Sequence, residues 1–156
     1  MDMAQHIIIW GVILALSSFI ISFGSWIIDS KVWAAHVGAD AEHHNRRGAI
    51  TTMMILLSVQ IYILLQSMLI YSRDLQSIHF LKAAAIAYGI YQIFNLMDLL
   101  VFDYLIYMIG KPKFMRPDEL PKADNFKKHF DDFINGLFFG CFPVMISVLI
   151  WYFIVR

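Results

Sequence analysis

Apolar residues along this chain come in four long, nearly unbroken runs, separated by short polar stretches. The runs cover residues 7–28, 49–71, 80–109 and 134–155. Crossing about 30 Å of hydrocarbon takes roughly 20 helical residues, and every run is long enough. Spanning β-strands would instead alternate over about ten residues, a pattern that does not occur here. In lipid the backbone must satisfy its own hydrogen bonds, so runs of this kind predict helices. The expected fold is all-α, an integral membrane four-helix bundle forming a single transmembrane domain over residues 1–156. The first run is expected to be retained, because residues 1–6 include Asp2 but no Lys or Arg, unlike a cleaved leader.

One polar stretch has its own period. Over residues 123–133, Phe126, Phe130 and Phe133 share a helical face with Leu137, while Lys127, Lys128, Asp131 and Asp132 take the other. That pattern predicts a short cytoplasmic interfacial amphipathic helix before the last span. Sidedness follows from basic residues, which collect in cytoplasmic loops. Lys31, Arg46 and Arg47 lie between the first two spans, and Lys111, Lys113, Arg116, Lys122, Lys127 and Lys128 between the last two. The other side carries only Arg73, Lys82 and Arg156. Both termini are therefore expected to be extracytoplasmic, with loops 29–48 and 110–133 cytoplasmic.

Composition agrees with a bilayer setting. Of 156 residues, 60% are hydrophobic and 15% charged, against about 25% charged in soluble domains. Basic and acidic residues balance at 12 each, which gives nucleic acid no electrostatic footing. Cys141 is the only cysteine, so neither an intrachain disulfide nor a thiolate metal centre can form.

Helices in lipid associate through close backbone approach and interhelical hydrogen bonds. Gly11, Ser18, Ser22, Ser25 and Asp29 form one stripe of the first helix, and Gly136, Gly140, Pro143 and Ser147 one stripe of the fourth. Both suit contacts within the chain or between protomers of a homo-oligomer.

The third run carries the candidate chemistry. Tyr88, Tyr91, Gln92, Asn95, Asp98 and Asp103 interrupt it, within an arc of about 140° on an ideal helix. Each Asp at mid-helix costs roughly 2.5–3.5 kcal/mol on insertion scales, against about −0.5 kcal/mol for each neighbouring Leu or Phe. With no Lys or Arg inside the other three spans, hydroxyls and amides such as Ser18, Ser22, Ser58, Gln60, Tyr62, Gln66 and Ser67 are the expected partners. Acids without a basic partner point to protons, a bound cation or a cationic ligand. Asp98, Asp103, Asn95, Gln92 and Tyr91 are the ligand- or ion-binding candidates.

A second constellation lies in the first cytoplasmic loop. If that loop is helical, His36, Asp40, His43 and Arg47 share a face, and His36, Asp40 and His43 form a ligand set for a divalent metal. His6 and His79 are expected to be interfacial. No span is expected to hold a histidine in its interior, which argues against haem. Asn95-Leu-Met-Asp98 has part of the Asn-x-x-Asp-Arg element of lipoprotein signal peptidases, but Leu99 stands in place of Arg and the next acid is on the same helix, so no activity carries over.

Three function classes fit. The first is a proton- or cation-linked carrier or channel using Asp98 and Asp103. The second is a membrane-embedded enzyme acting on a lipid or isoprenoid-like substrate, with an Asp as acid or base and a metal on the histidine loop. The third is an accessory subunit of a larger membrane complex.

Overall fold

The computed structural model describes residues 1–28, 46–75, 79–110 and 126–155. Helix α1 spans Met3–Ile28 and α2 spans Arg46–Leu75. Helix α3 spans Phe80–Met97 and continues as a π-helical extension over Asp98–Gly110. Helix α4 spans Phe126–Phe139 and α5 spans Cys141–Val155. Four stretches are long and apolar enough to cross a membrane: Met3–Ser25, Arg47–Arg73, Phe80–Leu105 and His129–Val155. The protein is an all-α membrane four-helix bundle, with no strand among the described residues.

Around the bundle, α1 lies beside α2 and α3, and α5 lies beside the same two helices from the opposite corner. Helix α1 runs parallel to α3. Ile7 meets Gly89, Gly11 meets Ile90 and Ile93, and Phe19 stacks on Phe102 at 4.3 Å. Gly11 is needed for this approach, since a Cβ there would collide with the Ile93 side chain. Helix α2 runs antiparallel to α1, which brings Tyr71 to His6 at 4.8 Å between ring centres. We call the end bearing Met3, Tyr71 and Val155 the terminal end, and the end bearing Gly110 and Phe126 the loop end.

Most of the buried core lies toward the terminal end. Leu14, Leu64, Met68, Ile86, Ile90, Val148 and Trp151 pack there, closed by Ser147 and Trp151 at the α2–α5 contact. The Ser147 hydroxyl donates to Pro143 O at 2.7 Å and lies 3.2 Å from Ile61 O of α2. The Trp151 indole donates to Ser72 Oγ at 3.5 Å. His6 departs from expectation. It is 1% exposed, packed against Tyr71 and Trp10 inside the bundle. A residue six positions from the start of the sequence is buried because α1 already begins at Met3.

Two backbone irregularities divide the spans. The third run is not one α-helix, because its hydrogen bonding changes to i→i+5 from Asp98 onward. Such turns usually occur singly, often at functional sites; this one covers 13 residues. The fourth run is broken at Gly140. Pro143 has no N–H to donate to Phe139, and its ring crowds that carbonyl. The bonds Gly140 N–H to Gly136 O and Val144 N–H to Gly140 O, at 2.9 and 3.3 Å, carry the chain across the break. Of the expected amphipathic segment, residues 126–133 are helical, and α4 continues beyond Phe133 to Phe139, while residues 123–125 lie outside the described residues.

Candidate functional site: the seam between α3 and α4

Helix α4 packs along α3 and its extension in one antiparallel register. Tyr91 sits against Gly140, Asn95 against Gly136, and Asp103 against His129. From Tyr91 to Asn95 and from Gly140 to Gly136 the steps are equal. From Asn95 to Asp103 the chain advances eight residues while α4 retreats seven, and the wider π-helical turns take up the extra residue.

The upper part of the seam is a packing device. Side chains on Gly136 or Gly140 would overlap the Asn95 amide or the Tyr91 ring, so the small-xxx-small step forms the slots those two side chains fill. Asn95 Nδ2 donates to Phe133 O at 3.0 Å, and the Tyr88 hydroxyl donates to Leu137 O at 3.2 Å. Both carbonyls lie within a helix, where a second lone pair remains able to accept. Tyr91 is buried and lies edge-on to Phe94, 5.2 Å between centres. The Gly136 and Gly140 face is thus taken up within the chain. On α1, Ser18 is buried and Ser25 Oγ donates to Ser22 O at 2.8 Å.

The lower part is charged. His129 Nδ1 lies 3.0 Å from Asp103 Oδ2, their side chains 12% and 27% exposed. Asp98 is exposed although it follows the buried Asn95 by three residues. Among the described residues, the charged groups that act on Asp98 are Asp103, His129 and Asp132.

His129 is absent from the partners expected for the acids, and it corrects that expectation. Two of the expected hydroxyls bond within their own helix, Ser58 Oγ donating to Met54 O and Ser67 Oγ to Leu64 O, and Ser18 Oγ is buried without a hydrogen-bond partner. Tyr62 is 61% exposed. A signal for His129 is present in the sequence. His129, Phe133, Gly136 and Gly140 follow one helical stripe, so whatever faces the two glycines also faces the imidazole.

The third membrane-length stretch covers Phe80–Leu105, so its middle lies near Gln92, and Asp98 is about 8 Å along the helix toward the loop end at 1.5 Å per residue. Of the five predicted site residues, Tyr91 and Asn95 join the packing slots, while Asp98 and Asp103 join the charged group. Gln92 stands apart, both amide atoms enclosed without a hydrogen-bond partner. The predicted ligands His36, Asp40 and His43 lie outside the described residues. Among the described residues, no three His, Cys, Asp or Glu side chains are grouped to hold a metal ion. Compared with protein-family models, curated proteins and solved structures, the chain matches none.

Proposed function

We propose that this membrane protein is a small carrier or channel in which Asp98 and Asp103 bind protons or a cation. The observation that carries the reading is the gathering of acids on the lower seam. Asp103 pairs with His129. Asp103 and Asp132 both act on Asp98, and among the described residues His129 is the one charge of opposite sign that does so. Small cations or protons are the counter-charges such a group attracts, and acids at membrane depth ordinarily mark ion or proton pathways. Asp98 supports this further, being exposed where Asp103 is already paired. Tyr91 and Asn95 border the site from the packing slots above, and Gln92 lies at the same level of α3.

Within this reading the loop end faces the cytoplasm, on the strength of the basic residues in loops 29–48 and 110–133. The charged group would then be entered from the cytoplasmic side. The test is flux into liposomes holding purified protein. Wild type is expected to show cation- or pH-driven flux that Asp98→Asn lowers by at least tenfold, its helical content unchanged by circular dichroism. Equal flux in wild type and Asp98→Asn removes Asp98 from the pathway.

A further inference from the structure

We infer that His129 is a tethered competitor for the cation site, and that α4 is the arm that carries it in and out. The inference rests on the cation-binding reading of Asp98 and Asp103. The geometry has three parts: a contact, a break and a lever.

The contact is the His129–Asp103 pair at 3.0 Å. It is an ion pair only while His129 holds its proton. The imidazole then occupies the place on Asp103 that a bound cation would take. Among the described residues the other charged or titratable groups are these. The α3 extension carries Asp98, Asp103 and Tyr104, and α3 carries Tyr88 and Tyr91 at the far end of the seam. Helix α4 itself carries Lys127, Lys128, Asp131 and Asp132 within a turn of His129, and α5 carries Cys141 near the break.

The break is at Gly140, where Pro143 leaves the Phe139 carbonyl without its usual donor. Sharp bends in helices occur at such positions. The lever is the length of α4 between the break and His129, about 16 Å at 1.5 Å per residue. A swing of about 15° over that arm moves the imidazole by about 4 Å, enough to lose a hydrogen-bonded contact. The Gly136 and Gly140 slots lie closer to the pivot and move less, about 1.6 Å at Gly136. Phe133 O moves about 2.7 Å, so the swing also opens its bond to Asn95 and the glycine slots alone hold α4 near the pivot.

Coupling follows from charge. In the closed state Asp103 carries its negative charge and His129 its proton. When a cation binds Asp103, the imidazole leaves, its N–H bond breaks and the proton passes to water at the loop end. One positive charge enters the site as one leaves, so cation and proton exchange without net change. His129 is thus a positioning and coupling residue, and its charge, more than its shape, sets the arm's state.

The test is the distance between spin labels on α4 and α2, using Phe130→Cys and Met54→Cys in a Cys141→Ser background, reconstituted in vesicles. Both sites are exposed. Distances are read at about pH 5.5 and about pH 8.5, either side of the ordinary imidazole value of about 6.5. The buffers contain sodium chloride, potassium chloride or N-methylglucamine chloride. Wild type is expected to be closed at the lower pH and to gain a population about 4 Å longer at the higher one. Sodium or potassium is expected to bring that population in at lower pH than N-methylglucamine does. His129→Gln is expected to be open at both pH values. His129→Lys, charged at both, is expected to stay closed, which a merely structural histidine would not predict. A distance unchanged by pH in wild type, or His129→Lys behaving as His129→Gln, overturns the inference. If the distance stays fixed while Asp98-dependent flux persists, the arm is wrong and the carrier stands. If pH moves the arm but no cation alters it and no flux is found, displacement by cations and the carrier both fall.

Discussion

Gly136 stands directly against the amide of Asn95, and that pairing sets how closely α4 can approach α3. Adding a methyl group at Gly136 must displace Asn95 and with it the bond to Phe133 O. Interhelical hydrogen bonds in membranes average about 0.6 kcal/mol and reach about 1.7 kcal/mol, and overpacking adds about 1–3 kcal/mol. Gly136→Ala is therefore expected to destabilise by about 2–4 kcal/mol, and Asn95→Ala by no more than about 2 kcal/mol. In the variant carrying both substitutions, truncating Asn95 makes room for the methyl group added at Gly136, so the losses should fall well short of additive. Unfolding titrations in mixed detergent read all three, and strict additivity would contradict the contact. At this scale the sequence is informative about which residues matter and less so about why. Asn95, Tyr91 and the two glycines all stand out in an apolar background, but only their register shows that they face one another. His129 reads as part of the interfacial helix, with Asp132 three residues on, and not as a partner for the acids of the third run, although the fourth membrane-length stretch begins with it.

Helix α3 owes its change of character to its second half. An ideal helix would place Asp103 on the same face as Gln92, and the π-helical turns re-aim it toward His129. Residue spacing cannot report such a change, since Asp98–Gly110 is as apolar and as continuous as the turns before it. That is why the existence and length of the span are legible and the direction of Asp103 is not. The break in the fourth run is more accessible, because Gly140 and Pro143 are a helix-bending combination in any setting. Replacing Pro143 by Ala returns the missing donor to Phe139. Pro143→Ala is expected to slow hydrogen exchange across the Phe139–Val144 turn and to reduce the open population of the arm. Unchanged exchange there would mean that proline does not cause the break.

The whole molecule combines a closed terminal end with a charged loop end. Buried core residues, His6 included, concentrate near the terminal end, whereas Asp98, Asp103, His129 and Asp132 gather toward the other. Four apolar runs suffice to read this as a membrane bundle, since length and hydrophobicity alone decide what can span lipid. Four spans also put both ends of the chain on one side. Single cysteines at Gln5 and at Lys127, in a Cys141→Ser background, are expected to react with an impermeant thiol reagent from opposite sides of sealed vesicles. Labelling of both from the same side would contradict the topology. The central claim is that Asp98 contributes to a cation site, and the most direct measurement is the thermal unfolding midpoint of purified wild type and Asp98→Asn. Both are measured across pH in sodium, potassium and N-methylglucamine chloride. A cation at about 100 times its dissociation constant stabilises by about 2.7 kcal/mol, which for a chain of this size raises the midpoint by roughly 5–10 °C. The account predicts that rise in wild type and its loss in Asp98→Asn. If no cation raises the wild-type midpoint and Asp98→Asn is equally or more stable, the charged group is a hydrogen-bonded packing face and the carrier account is wrong.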